Sequence, residues 1–324
     1  MYKPFVTGAI FLTAAALVSG CSGGSGSDSS TGGGGTKMAL VVGSQADVYY
    51  RSLECGAKTE AKKLGVDLTV QGPKTFDTTQ QTTVLQGVVA RQPKAIMIAP
   101  TDSKALFTPL KQAKQSGTKI ITVDTQLADE SIVSSAVTAD WHAVGTTGAD
   151  EVNKLTGGKG TVLAIFSPPG VSTSDLGRVA FQAQMKKYPG IKLLPIQFSE
   201  GETGKSASIV SATLARYPDL SAVYTYNGND LEGVASSLKE AGKSESVATL
   251  SGDAQPFQVQ LLKNGGVSAL ILVKPYDIGV QAVQQAVKAV EGDPTTKLIK
   301  VGDLVATKAR MNDKSVSTYF YKAC

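Results

Sequence analysis

From Lys37 onward, short apolar runs alternate with amphipathic stretches of helical period, and this alternation restricts the fold more than any other feature of the chain. The runs MALVVG from Met38, VDLTV from Val66, AIMIA from Ala95 and KIITV from Lys119 are separated by helical stretches over about 50–64, 80–90 and 104–116. Runs of about five residues rich in Val, Ile and Leu suit strands buried on both faces, and the amphipathic segments supply the crossovers that a parallel sheet requires. Glycines fall where helices end, as in KKLG-VDLTV, KQSG-TKIITV and KEAG-KSESVATL. A second series begins after Trp141. Strands are expected over 161–166, 192–198, 222–226, 247–251 and 267–273, with helices over about 142–156, 175–187, 204–216, 229–241 and 255–264. A long helix over about 277–291 and a last strand over 300–306 follow. One sheet of so many strands would be unusually large, so the expected class is α/β with two doubly wound parallel-sheet lobes.

With 42% hydrophobic residues in a chain of 324, a core of that size can be filled. The net charge of +5, from 32 Lys and Arg against 27 Asp and Glu, is spread without a basic run, so no nucleic-acid partner is expected. There is one His, His142, and three cysteines. A metal site, a Ser-His-Asp triad or a zinc hydrolase would have to be built around that single imidazole. No catalytic residue, metal or cofactor is therefore expected, and His142 reads as an ordinary residue opening a helix.

The first thirty-six residues read as an address. Lys3 precedes an apolar stretch from Phe5 to Val18, a secretory signal too short to stay in a bilayer as a permanent helix. It ends in Val18-Ser19-Gly20-Cys21, which resembles the bacterial lipobox and makes Cys21 the expected lipidation site. Residues 1–20 are thus a lipoprotein signal peptide, and 21–36, nearly pure Gly and Ser, a flexible tether reaching about 20 Å. The two remaining thiols, Cys55 and Cys324, are expected to pair in a protein exported from the reducing cytoplasm. That bond would staple the C-terminal tail to the first helix.

In open α/β sheets a ligand sits beyond the carboxyl ends of the strands. There the chain places Asp47, Tyr49 and Tyr50 after the first strand, Asp124 after KIITV and Asp140-Trp141 after VSSAVTA. Asn227 follows AVYTY, Asp253 follows VATLSG, and Arg178 lies on the helix after the Ser167–Ser174 loop. Carboxylates, an amide, a guanidinium and flat rings suit a small polyhydroxylated molecule. Ser199–Ser206 (SEGETGKS) imitates a phosphate loop, but Ser199 stands where the first glycine is required, so it reads as a helix N-terminus capped by Thr or Gly. No G-x-G-x-x-G follows the first strand, and no dinucleotide is expected.

Together these residues resemble the ribose-type branch of the bacterial type I periplasmic solute-binding proteins that serve ABC importers. The resemblance runs from about Lys37 to Val305. It is carried by ALVV from Ala39, Tyr49-Tyr50, SLECGAKTEAKKLG from Ser52, PTDS and AL from Pro100, and VDTQ from Val123. Arg178 with Phe181, Tyr226-Asn227 and Asp253 complete it. It implies two lobes joined by a three-segment hinge, residues 37–139 with 275–302 and residues 140–274 with 303–324, closing on a ligand. Asp47, Tyr49, Tyr50 and Asp124 would contact it from the first lobe, Arg178 and Asn227 from the second, with Asp140 beside the first crossover and Asp253 facing the cleft. Three positions depart from the family: Thr125 where Arg is frequent, Val273 beside Lys274 where Gln is common, and Asp47 where Asn is frequent. Ribose therefore does not follow, and a pentose, a hexose and a linear polyol all stay open. The resemblance implies a monomeric lipoprotein on the outer side of the cytoplasmic membrane that delivers its ligand to an ABC permease. A ligand-sensing subunit of a membrane receptor and an exported glycan-acting enzyme are the alternatives.

Overall fold

The computed structural model describes residues 35–324. The signal segment, Cys21 and most of the Gly/Ser tether lie outside the described residues.

The alternation resolves into two sheets. The first contains β1 (Thr36–Val41), β2 (Val66–Gln71), β3 (Ala95–Ile98), β4 (Lys119–Val123), β5 (Ser135–Ala139) and β12 (Leu298–Val301). Their spatial order is β2-β1-β3-β4-β5-β12, and all pairs are parallel. Its helices are α1 (Val48–Lys63), α2 (Thr78–Ala90), α3 (Phe107–Gln115) and α9 (Pro275–Glu291). The second sheet contains β6 (Gly160–Phe166), β7 (Ile191–Leu193), β8 (Gln197–Phe198), β9 (Leu220–Thr225), β10 (Ala248–Gly252), β11 (Ala269–Leu272) and β13 (Leu304–Thr307). Its order is β7-β6-β9-β10-β11-β13, with β8 also beside β6. Its helices are α4 (Trp141–Thr156), α5 (Ser172–Met185), α6 (Thr203–Arg216), α7 (Gly228–Glu240) and α8 (Pro256–Asn264), and the short α10 (Lys314–Ser317) lies in the tail. The two orders correspond strand for strand. They differ at the edge, where β12 runs parallel to β5 but β13 runs antiparallel to β11.

Central strands such as β3, β5 and β11 are buried along their whole length, which is why they read as unbroken apolar runs. Gly65, Gly117 and Gly242 have positive φ at the helix ends where they were expected. Two expected strands divide. The run over 192–198 becomes β7 and β8, interrupted around Pro195, which has no N–H for the ladder. The run over 300–306 becomes β12 and β13, which join different sheets. Gly302-Asp303 between them is thus a crossover, along with the β5–α4 junction at Asp140 and the β11–α9 junction at Val273-Lys274.

The tail after β13 makes a fourth connection. Tyr321 donates its N–H to Ala254 O in the second lobe, while Lys322 N–H donates to Ser52 Oγ on α1 in the first. Cys324 is disulfide-bonded to Cys55 on α1, closing a sequence separation of 269 residues.

A candidate ligand-binding cleft between the lobes

The carboxyl ends of both sheets open onto one cavity of about 830 Å³, lined from both lobes. Asp47, Tyr49, Tyr50, Asp124, Trp141, Asn227 and Asp253 all line it. The lobes touch beside it, where Gln126 N–H donates to Ser172 Oγ at 2.9 Å.

Local structure explains each placement. Asp47 is the N-cap of α1 and accepts from Tyr49 N–H at 2.9 Å, which sets Tyr49 and Tyr50 on the first turn. Both tyrosines turn back onto Asp124: Tyr49 OH donates to Oδ1 at 2.7 Å and Tyr50 OH to Oδ2 at 2.9 Å. Asp124 and Asp253 directly follow the corresponding strands β4 and β10, and both are left-handed, with φ of 61° and 72°. This conformation is tolerated by Asp better than by most residues with a side chain. Asp253 accepts from Gly228 N–H at 2.9 Å and from Tyr321 OH at 3.1 Å. Asn227 caps α7 and accepts from Asn229 N–H.

Burial raises the pKa of all three central acids. Asp124 is pushed up to about 6 and Asp253 to about 7, in each case chiefly by desolvation. The hydrogen bonds they accept pull the other way, while Asp47 adds repulsion to both. Asp47 itself is raised, again by burial.

Two expected residues stand elsewhere. Arg178 does not line the cavity. Its guanidinium turns along α5 to Asp175, at 3.0 Å, and to Gln182, because an acid three residues earlier on the helix is its nearest partner. Asp140 also stands outside the lining: it caps α4 by accepting from Ala143 N–H and pairs with Lys300 at 3.2 Å. His142 is exposed on the first turn of α4. At the false phosphate loop, Glu202 is the N-cap rather than Thr or Gly, and Ser199 Oγ donates to the buried Asp230.

Several lining residues were not among the expected ligand contacts. Tyr226 packs on Trp141, with ring centroids 5.4 Å apart, and Phe76 stacks with Tyr50 at 6.5 Å. Thr125, Thr173, Asn229 and Gln255 also contribute. Tyr226 and Phe76 follow strands β9 and β2, so the strand-end rule would have found them. Among the described residues no group of three or more His, Cys, Asp or Glu side chains could hold a metal ion.

Two doubly wound lobes around a polar, aromatic-walled cleft define a hinged small-molecule binding protein. The chain belongs to the family described as the periplasmic binding protein domain, which it matches over residues 38–294. Relatives include the ribose import binding protein RbsB of Escherichia coli, 28% identical over 256 residues (79% of this chain, 85% of the relative). The D-allose-binding periplasmic protein of the same organism is 26% identical, over 78% of this chain and 84% of its own length. Among solved structures, an ABC transporter solute-binding protein of Agrobacterium vitis bound with α-D-tagatopyranose is similar with a TM-score of 0.86. It shares 32% identity, and the match covers 88% of this chain and 99% of that one. A carbohydrate transporter solute-binding protein of Agrobacterium radiobacter, in complex with D-arabinose, has a TM-score of 0.83 at 26% identity, covering 88% of this chain and 99% of the other.

Proposed function

We propose that this chain captures a sugar or sugar alcohol between its lobes and delivers it to an ABC permease, working as a monomeric lipoprotein outside the cytoplasmic membrane. The observation that carries the reading is the shared cleft, in which Asp47, Tyr49, Tyr50 and Asp124 from one lobe face Asn227 and Asp253 from the other. Contacts from both sides favour the closed arrangement of the lobes, and that differential affinity is what drives closure on a ligand. Carboxylates and the amide exchange water for hydroxyls, and the rings cover C–H faces. In this reading residues 37–139 with 275–302 form one jaw and 140–274 with 303–324 the other, a division the sheet memberships support. Sugars named for the relatives, ribose, allose, tagatose and arabinose, support the ligand class. The chain acts by binding rather than by catalysis, and Cys21 carries the lipid.

A calorimetric and thermal-shift panel of pentoses, hexoses and alditols on the purified protein tests this. A ligand at a hundred times its Kd should add about 2.7 kcal/mol of stability. A panel with no binder would overturn the ligand class, and product formed from glycosides would overturn the assignment to binding. In the same preparation Cys21→Ala should move the protein from the membrane fraction to the soluble one.

A further inference from the structure

The two lobes hold their strand-end acids alike, but with residues of different origin. In the first lobe both oxygens of Asp124 accept tyrosine hydroxyls from the first turn of α1, the helix that follows β1. In the second lobe the corresponding acid is Asp253, after β10, and the corresponding helix is α5, after β6. Neither α5 nor the loop leading into it contains a tyrosine. The hydroxyl comes instead from the C-terminal tail. Tyr321 OH donates to Asp253 Oδ1 at 3.1 Å, while Gly228 N–H donates to Oδ2 at 2.9 Å.

The tail is seated so that this hydroxyl has one place to go. Tyr321 is buried, and its N–H donates to the carbonyl of Ala254, the neighbour of Asp253. Its ring meets that of Tyr49 edge-on, with centroids 5.7 Å apart. The next residue, Lys322, exchanges hydrogen bonds through its N–H and C=O with Ser52 Oγ, one turn along α1 from Tyr49. Tyr321 thus touches an acid of one jaw and a tyrosine of the other without itself lining the cavity. It also lies beyond residues 38–294, over which the family match runs.

Resting on the sugar-capture reading, we infer that Tyr321 is a positioning residue of the binding site, whose hydroxyl fixes the carboxylate of Asp253 in the orientation that meets the ligand, as Tyr49 and Tyr50 fix that of Asp124. The terminal torsion of an aspartate is broad, so a carboxylate held at one oxygen still turns. Held at both, it presents its remaining lone pairs in a set direction and surrenders less freedom on binding. The titratable groups that act on Asp253 are Asp47, Asp124, Tyr224, Tyr226 and Tyr321 itself. Burial, then Asp47, raises the pKa of Asp253, whereas Gly228 N–H and the Tyr321 hydroxyl lower it.

The test is calorimetry on the full protein at pH 8 with D-ribose, D-arabinose, D-allose, D-tagatose and D-glucitol, in the parent, Tyr321→Phe and Tyr319→Phe. Tyr321→Phe keeps the ring against Tyr49 and loses only the hydroxyl. Its affinity for the sugar that the parent binds best should fall about tenfold. Tyr319→Phe takes a hydroxyl from the same tail, on a ring that lies against Lys274, and should bind as the parent does. In carbon-13 NMR of the unliganded proteins the Asp253 carboxyl should titrate at higher pH in Tyr321→Phe than in the parent, a shift that altered stability alone would not produce. Parent-like affinity in Tyr321→Phe, an equal loss in Tyr319→Phe, or an unmoved Asp253 titration would each overturn the role of Tyr321 while sugar capture stands. A parent that binds none of the five, nor any other pentose, hexose or alditol, takes both down.

Discussion

Asp124 and Asp253 occupy the same position in the two lobes, each directly after the fourth strand of its sheet and each left-handed. Such a conformation costs on the order of 1–3 kcal/mol when a side chain is present, and here it aims both carboxylates into the gap. Their burial adds a second strain. Asp253 titrates at about 7 in the fold against an ordinary 3.8, so the folded chain holds its proton more tightly than the unfolded one. Stability from this group is therefore present at low pH and lost as pH rises from about 4 to about 7; Asp124 and Asp230, raised to about 6, act in the same direction. The unliganded protein should accordingly melt lower at pH 8 than at pH 5.5. Asp253→Asn removes the charge, keeps an acceptor for Gly228 N–H and tolerates the left-handed backbone. At pH 8 it should gain on the order of 1–3 kcal/mol, a few degrees in melting temperature, and the pH slope should flatten. An unchanged or lower melting point would show that the carboxylate is not under strain. Asp124, Asn227 and Asp253 were legible as residues of the cleft lining because strand ends were. Tyr321 was not legible, because only the folded tail brings it to Asp253. Arg178 stands off the lining because Asp175, one helical turn earlier, holds part of its guanidinium, a local pairing that the strand-end rule does not weigh.

The elements themselves were legible from periodicity, but their closest packing was not. Helices α1 and α9 lie so near each other that a methyl group on Gly279 would run into the carbonyl of Leu53, and one on Gly56 into that of Tyr276. Nothing in the local pattern around Gly56 or Gly279 announces this, since the contact joins segments far apart in the chain. Gly279→Ala should cost about 1–3 kcal/mol in chemical denaturation despite the better helix propensity of Ala. Gly87→Ala on the exposed face of α2, where a methyl group would meet nothing, should instead gain about 0.5–1 kcal/mol. Equal effects at the two sites would refute the packing argument. The split of the last expected strand has a similar origin. Which sheet each half joins is decided by strands far away in the chain, β5 for β12 and β11 for β13, and the chain passes between them at Gly302-Asp303.

At the scale of the molecule, two lobes and the cleft follow from the alternating pattern and the resemblance, whereas the strand orders and the path of the tail do not. Cys55 and Cys324 announced a bond without showing that the segment approaching it rests on both lobes. Cys324→Ser should lower the stability by at most roughly 5 kcal/mol, the chain-entropy figure for a closed loop of this length. It should also enlarge the unliganded protein in small-angle scattering and weaken ligand affinity. Dimensions and affinity unchanged from the parent would mean that the tail carries no load between the lobes.

That path has a mechanical corollary. With Tyr321 seated beside Ala254 in one lobe and Cys324 bonded to α1 in the other, only Lys322 and Ala323 lie between them, and Lys322 is itself hydrogen-bonded to Ser52 on α1. Three peptide steps reach no further than about 11 Å, so at this edge the aperture has a leash. A receptor held on so short a leash wanders less while waiting, and surrenders less freedom when a guest arrives.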